Sequence, residues 1–364
     1  MILSGFRKET SERSDVNNWA KDILRTNTGY HFESIEGCNQ NDNNLVTHLF
    51  ERARIDYALD GESTQTQIIE QILNLEGEET IRRKINFARR FGIPLSYVLY
   101  CDENELVYLI NFTSPATAEI VRIFNGYREF ANWIAEIKGW RSAKAFREMP
   151  DLPHFDKRLR EERTPWPTNI DCFICDNSNN PIAILEFQNA DKVGVANHCN
   201  NDYFLCKMTG TNQWGGTVYH DDIRRWTSQE IIRVQSGLRF FIITWAATED
   251  NFTLKEVEEI TIPHFPNLTT GQPDWTLQHQ YKAALHRFSN SRPRSKELAR
   301  TIASDYKTFN FSYTPTVMTK TIHHPPLNTA DKTFPLIYYR YKQTVNGNRE
   351  QLAGLFTGLI TQSY

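Results

Sequence analysis

Two short apolar runs in the middle of the chain carry acidic and amide side chains suited to phosphate chemistry. The first run, residues 170–176, contains Asp171. The second, residues 181–188, ends in Glu186, one intervening residue and Gln188. Side chains two positions apart in a strand lie on the same face. Glu186 and Gln188 are therefore predicted to share one face of a sheet.

The polar residues 177–180 between these runs predict a β-hairpin. If these four residues form the loop, Asp176 pairs with Pro181. Counting back five pairs then places Asp171 directly opposite Glu186. Opposed side chains of neighbouring strands have Cβ atoms roughly 5 Å apart. The sequence therefore predicts two carboxylates side by side on an apolar sheet.

Such a carboxylate pair is unfavourable unless a cation accompanies it. Like charges repel, and apolar surroundings disfavour the ionised forms. Magnesium prefers hard oxygen ligands and keeps several waters. A bound magnesium lowers the pKa of a water and neutralises charge that develops on a phosphate. Asp171 and Glu186 are therefore predicted to be ligands of Mg²⁺, with Mn²⁺ as a substitute.

Asp171, fourteen intervening residues and then Glu186-x-Gln188 resemble the motif of the PD-(D/E)XK nuclease superfamily, which includes many type II restriction endonucleases. The match covers only residues 170–246. It implies an α/β fold with a restriction-endonuclease-like core, in which a mixed central sheet is flanked by helices. It also implies Mg²⁺-dependent hydrolysis of phosphodiester bonds in double-stranded DNA, of restriction or other defence type. Asp171, Glu186 and Gln188 would be its catalytic residues.

Two positions depart from the motif of this superfamily. Ile170 precedes the aspartate where proline is usual, and Gln188 stands where lysine is usual. A lysine acts on the attacking water by its charge, whereas glutamine can only form hydrogen bonds. Some active restriction enzymes carry Glu-x-Gln. Lys192 and Lys207, which follow the second run, are alternative sources of an ammonium group.

Candidate DNA-contacting residues lie in two parts of the chain. A predicted helix at 81–91 has a basic face that could contact phosphates, although a solvated helix face is the commoner reason for such a pattern. The segment after Gln188 is also rich in polar groups. The candidates are Arg82, Arg83, Lys84, Lys192, His198 and Lys207.

Other acids compete for a role beside the predicted pair. Glu129, Glu161 or Glu162 could supply a third carboxylate, and the sequence does not choose among them. In the non-catalytic alternative, Asp171 ends a strand and Glu186 pairs with an arginine such as Arg163.

The cysteines suggest a different interpretation, in which the chain binds zinc. Cys172 and Cys175 have ligand-like spacing, and His198, Cys199 and Cys206 follow. Positions three apart in a strand face opposite sides, however, so one metal would not receive both thiols. Small buried residues are the favoured interpretation.

The chain is predicted to have three regions. Residues 1–92 form a helical N-terminal region that could recognise DNA. Residues 93–250 form the nuclease core with its hairpin at 170–188, and residues 251–364 form an α+β region for DNA binding or dimerisation. Helices are predicted at 16–24, 46–57, 81–91, 116–140, 227–237 and 275–288, and strands at 94–100, 105–112, 170–176, 181–188, 238–246, 252–262 and 336–341.

The bulk composition limits the classes of function. The formal net charge of −3 excludes a global basic field, so any DNA-binding surface must be local. No apolar run is long enough to span a membrane, and residues 1–14 do not resemble a secretory signal. We expect a cytoplasmic homodimer that binds double-stranded DNA. The alternatives are a nucleic-acid-binding protein with a degenerate nuclease core, and a zinc-bound structural protein.

Overall fold

The computed structural model describes residues 6–8, 17–41, 45–56, 65–139, 141, 152–192, 194–200, 207–211, 217–220, 223–260 and 337–362. The chain divides into two units, and the boundary passes through one strand, between Glu186 and Phe187. The first unit comprises Met1–Asn17, Lys21–Glu186 and Ile231–Arg239. The second comprises Asn18–Ala20, Phe187–Glu230 and Phe240–Tyr364.

The fold is α/β with a large mixed sheet. Up to Asn189 the elements are α1 (Trp19–Asn27), β1 (His31–Gln40), β2 (Val46–Ile55), α2 (Gln65–Glu76), α3 (Glu78–Arg89), β3 (Leu95–Cys101), β4 (Val107–Ser114), β5 (Thr117–Phe124), α4 (Tyr127–Lys138), α5 (His154–Glu161), β6 (Thr168–Cys175) and β7 (Pro181–Asn189). In the first unit the strands follow the order β7-β6-β1-β2-β3-β4-β5. Strands β2 and β3 are parallel, and the other neighbours in this order are antiparallel.

The second half of the chain adds α6 (Val195–Asn200), β8 (Lys207–Thr211), β9 (Thr217–His220), α7 (Ile223–Ser236), β10 (Arg239–Trp245), β11 (Phe252–Ile260), β12 (Ile337–Val345) and α8 (Gln351–Thr361). In the second unit, β10, β11 and β12 form successive antiparallel pairs. Phe241 of β10 packs edge-on against Phe356 of α8 at 5.2 Å between ring centroids. The last part of β7 lies beside β10, because Ala190 N donates to Trp245 O at 2.7 Å.

An aromatic core supports the sheet of the first unit on the side of α4 and α5. Phe155 of α5 stacks on Tyr100 of β3 at 4.3 Å between centroids. Phe130 of α4 and Trp166 also pack against Phe155. Rings of this size bury a large apolar area each, so they fix both helices on the sheet.

One ion pair lies inside this aromatic core. Arg52 of β2, 2% exposed, donates from both terminal nitrogens to Asp156 of α5, at 2.9 Å and 3.1 Å. Its guanidinium carbon also lies 4.7 Å from the ring centroid of Trp166. A bidentate arginine–carboxylate contact of this kind fixes the orientation of α5 and neutralises both charges.

The helical prediction for residues 46–57 is wrong, because the segment contains β2. The strand has helices on both sides, so its burial is nearly continuous and its apolar residues need not alternate. Glu51 and Arg52 are also buried, each with a charged partner. Strand β1 was not predicted for a similar reason, since it carries the buried Glu36. The N-terminal region is therefore not purely helical.

The single long helix predicted at 116–140 is also wrong. The segment is β5 followed by α4, which begins at Tyr127. The break falls at Asn125 and Gly126, where Asn125 N donates to Glu129 Oε2 at 2.9 Å. The span 148–169, which contains four prolines, includes α5 and the start of β6.

The hairpin of β3 and β4, the hairpin of β6 and β7, and strands β10, β11 and β12 confirm the corresponding predictions. Helix α7 begins at Ile223, four residues before the predicted start, and ends before Gly237, whose φ is 66°. The helix predicted at 275–288 lies outside the described residues. Within the described ranges, no helix is long and apolar enough to cross a membrane.

Candidate functional site

The β6–β7 hairpin carries the two predicted acids, Asp171 in β6 and Glu186 in β7. Cys172 pairs with Leu185, and the neighbouring pairs continue this register toward the turn. Continued by one residue beyond Cys172 and Leu185, this register would bring Asp171 opposite Glu186. Directly opposed residues of antiparallel strands project from the same face with Cβ atoms roughly 5 Å apart. We therefore expect the two carboxyl groups to be neighbours on one face of the sheet.

The turn of this hairpin differs by one residue from the predicted loop. Cys175, not Asp176, pairs with Pro181, and the register shifts between Ile174 and Cys175. The carboxylate of Asp176 instead accepts the backbone N–H of Asn180 at 2.8 Å. Because Ile174 pairs with Ala183 and Cys175 with Pro181, Ile182 of β7 has no partner in β6 at this irregularity. The pairs from Ile174 with Ala183 to Cys172 with Leu185 are those that the sequence predicts.

The surroundings of the two acids differ. Asp171 is half-buried, and Asn169 Nδ2 donates to its Oδ1 at 2.8 Å. Glu186 is 1% exposed. Phe173, which lies on the same face, stacks on Phe87 of α3 at 4.3 Å between centroids. Burial of a carboxylate beside another acid is unfavourable without a compensating positive charge or hydrogen bonds.

Gln188 follows Glu186 by two positions in β7 and is half-buried. Its side-chain carbonyl accepts a hydrogen bond from the hydroxyl of Thr244 in β10, at 3.1 Å. Among the described residues, none accepts a hydrogen bond from its Nε2. The amide therefore has one edge fixed by the protein and a donor edge available to a ligand or to water.

The donor set at the hairpin fits a magnesium ion. Mg²⁺ usually takes one or two carboxylates from the protein and fills its remaining positions with water or substrate oxygens. Asp171 and Glu186 supply two such carboxylates from opposed positions. The part of the chain that the structure describes holds no group of three or more His, Cys, Asp or Glu side chains arranged for a metal. A site here would therefore depend on water and substrate oxygens.

Two of the candidate DNA-contacting residues form ion pairs within the protein. Arg82 lies 2.5 Å from Glu78 and 3.2 Å from Glu79 in the same helix, and it is partly exposed. Arg83 donates to Glu33 of β1 at 2.6 Å and to Asn179 of the hairpin turn at 3.2 Å. Arg83 therefore holds α3 to the sheet. Of these two arginines, Arg82 is the one whose charge is partly exposed to solvent.

Lys84 belongs to a buried charge cluster, which comprises Lys8, Glu36, Glu51, Glu76 and Lys84. Lys84 is 4% exposed, and its Nζ lies 2.8 Å from Glu51 Oε2. Lys8 Nζ lies within 2.8 Å of Glu36, Glu51 and Glu76. An ammonium in this position cannot reach a phosphate on a duplex, so a DNA contact by Lys84 does not fit the structure.

The remaining candidates follow β7. Lys192 is exposed in the turn after the strand, so its ammonium is accessible. His198 is buried in α6. Lys207 begins β8, and its side chain lies outside the described part of the chain.

The proposed third carboxylates lie in other elements, each with a local partner. Glu129 caps the start of α4 through Asn125. Glu161 pairs with Arg158 within α5, and Glu162 follows directly after that helix. The structure therefore does not favour any of these three acids as a member of the hairpin site.

The described cysteines do not resemble a zinc site. Cys172 and Cys175 are buried in β6, and burial raises the pKa of each thiol to about 12. Both thiols are therefore protonated at neutral pH, whereas zinc binds the thiolate. The side chains of Cys199 and Cys206 lie outside the described residues.

The chain matches no protein-family model, and no curated protein or solved structure is detectably similar to it. The geometry of the hairpin and its neighbours is therefore the basis for assigning a function.

Glu36 gives the charge cluster a pH dependence that can be measured. Burial, followed by the negative charge of Glu51, raises the pKa of Glu36 from 4.5 to about 7. Between these two values the folded protein binds more protons than the unfolded chain. The Glu36 contribution to the free energy of unfolding therefore falls as the pH rises from 4.5 to 7.

We expect Glu36→Gln to remove this decrease in the free energy of unfolding with rising pH. Relative to the wild-type protein, the variant should gain free energy of unfolding, on the order of 2 kcal/mol, between pH 5 and pH 8. Urea denaturation at the two pH values measures the difference. Glu103→Gln, which removes an exposed acid, should follow the wild-type pH dependence. Parallel curves for wild type and Glu36→Gln would show that Glu36 titrates normally.

Proposed function

We propose that this protein is a magnesium-dependent endonuclease that hydrolyses phosphodiester bonds of double-stranded DNA in the cytoplasm, in a restriction or related defence role. The observation that supports the proposal is the register of the β6–β7 hairpin, which pairs Cys172 with Leu185 and, continued by one residue, would bring Asp171 opposite Glu186. The α/β fold with its mixed sheet supports the proposal at the level of fold class.

Each proposed site residue has a role that follows from its surroundings. Asp171 and Glu186 would hold Mg²⁺, which when bound activates water and neutralises charge on a phosphate. Asn169 restricts the carboxylate of Asp171 through the 2.8 Å hydrogen bond. The burial of Glu186 keeps competing water away from its carboxylate. Gln188 offers N–H donors to an oxygen of the water or of the phosphate.

One observation favours a second candidate, a protein that binds DNA without cleaving it. Gln188 occupies the position where a lysine is usual, and an amide lacks the charge that stabilises a phosphate in the transition state. A chain that had lost catalysis could keep the two acids as a metal-dependent DNA-binding site.

Binding and cleavage assays with the same DNA separate the two candidates. We expect the wild-type protein to retard duplex DNA in a gel at low salt in Ca²⁺, which fills oxygen sites but supports this chemistry poorly. In Mg²⁺, phage DNA should be cut into fragments. Retardation without cutting would favour the non-cleaving candidate, and no retardation of any duplex would count against DNA as the partner.

We also propose that the protein acts as a homodimer, because one site of this kind cuts one strand and two-fold symmetry suits a palindromic duplex. Sedimentation equilibrium on the protein with and without a duplex should give a mass of two chains per DNA. A strict monomer on DNA would refute the dimer and would favour an enzyme that nicks one strand.

A further inference from the structure

We propose that Thr244 is a positioning residue that makes the amide of Gln188 act as a pure hydrogen-bond donor, as a lysine would. The inference rests on the proposed nuclease function, and it deepens that function by assigning how glutamine serves at the lysine position. Thr244 lies in β10, outside the motif by which the site is predicted. The hydrogen bond from its hydroxyl to Gln188 Oε1 is the observation that carries it.

The side chain of Thr244 is fully buried, so its hydroxyl needs an acceptor within the protein. Among the described residues, the only acceptor that this hydroxyl reaches is Gln188 Oε1, at 3.1 Å. A hydroxyl that must donate selects the carbonyl edge of the amide. The Nε2 edge therefore points away from Thr244.

This selection matters because an amide has two unlike edges. A free glutamine can rotate and present either a carbonyl oxygen or an NH₂ group, whereas an ammonium presents only donors. A carbonyl turned toward a phosphate would repel its oxygens, while N–H groups stabilise the charge that develops on them. With Oε1 held by Thr244, Gln188 presents N–H donors and not a carbonyl to an anionic oxygen of the substrate.

The chemistry of β10 supports a specific role for this hydroxyl. Thr244 stands in a run of large apolar residues, where valine has nearly the same shape and no hydroxyl to satisfy. Thr253, directly opposite in β11, is also fully buried and shares a hydrogen bond with Thr344 at 2.8 Å. Thr253 thus provides a matched control in the same sheet.

A double-mutant cycle tests the inference through single-turnover cleavage of plasmid DNA in Mg²⁺. Thr244→Val should lower the rate about tenfold to a hundredfold, and Thr244→Ser should retain most of it. In a Gln188→Lys protein, which has no carbonyl to hold, Thr244→Val should change the rate by less than about threefold. Thr253→Val should leave the rate near that of wild type although it too loses a buried hydroxyl.

A second readout does not depend on cleavage. The side-chain NH₂ signals of Gln188, assigned in ¹⁵N NMR spectra by their loss in Gln188→Lys, should shift in Thr244→Val and remain in place in Thr253→Val. If the Gln188 NH₂ signals have the same chemical shifts in Thr244→Val as in the wild-type protein, the inference is overturned, whatever the cleavage activity.

The outcomes also distinguish failure of this inference from failure of the proposed function. Equal rate losses from Thr244→Val in the glutamine and lysine backgrounds, or no loss in either, would overturn the positioning role while the nuclease stands. Absence of cleavage by the wild-type protein, with the NMR response intact, would overturn the nuclease and with it the catalytic purpose assigned to this hydrogen bond.

Discussion

Replacing Asp171 by asparagine or Glu186 by glutamine should lower the rate of DNA cleavage in Mg²⁺ by about three orders of magnitude or more. Both changes keep the size of the side chain and remove one negative oxygen donor. In the proposed site both carboxylates bind the metal, so the loss of either leaves the ion with a single protein carboxylate. Single-turnover rates at saturating enzyme measure the effect on the chemical step.

DNA binding in Ca²⁺ should persist in both variants, since the loss of a carboxylate relieves repulsion of the phosphates. Glu103→Gln, an exposed acid in the turn between β3 and β4, should cleave at the wild-type rate. Thermal melts establish that each variant is folded. Near wild-type turnover by a folded Asp171→Asn or Glu186→Gln protein would show that the site is wrongly assigned.

Arg52→Met should reduce the free energy of unfolding by about 3–5 kcal/mol. The change removes both hydrogen bonds to Asp156 and the hydrogen bond to Glu36 Oε2 at 3.1 Å, and it leaves the Asp156 carboxylate buried inside an aromatic core. Removing one partner of a buried pair costs much more than removing the pair, because an uncompensated charge remains. Urea denaturation at neutral pH measures the loss.

The double variant Arg52→Met, Asp156→Leu should recover part of this loss, since it removes the uncompensated charge of Asp156 while Glu36 keeps its ion pair with Lys8. Arg122→Met supplies the matched control, because Arg122 pairs with Glu129 at the surface of the same unit. That change should cost about 1 kcal/mol or less. An equally small effect for Arg52→Met would show that Asp156 is hydrated or protonated in the folded protein.

The hairpins and the C-terminal strands could be predicted because their apolar runs are short and end at turn residues. The β6–β7 pairs from Cys172 with Leu185 to Ile174 with Ala183 could be predicted from loop length alone, despite the irregularity beside Cys175. Strands β1 and β2 could not be predicted in this way. Their buried charges, such as Glu51 and Arg52, look like surface residues until the partners from distant elements are known.

The role of Thr244 beside Gln188 could not be predicted from the sequence either. Thr244 lies 56 residues from Gln188, so their hydrogen bond depends on how β10 and the end of β7 meet. The one signal in the sequence was a polar residue, Thr244, inside an apolar strand. This signal does not indicate which residue accepts its hydrogen bond. Lys84 was predicted to be on an exposed basic helix face and to contact DNA. In the structure its ammonium is buried and pairs with Glu51.

Conversion of supercoiled plasmid by wild-type and Glu186→Gln proteins, purified and assayed in parallel, tests the central claim most directly. With Mg²⁺ the wild-type protein should give nicked or linear DNA, and EDTA should stop the reaction. The Glu186→Gln protein should leave the plasmid supercoiled over the same period. No conversion by the wild-type protein, or equal conversion by both proteins, would contradict a magnesium-dependent nuclease site at the β6–β7 hairpin.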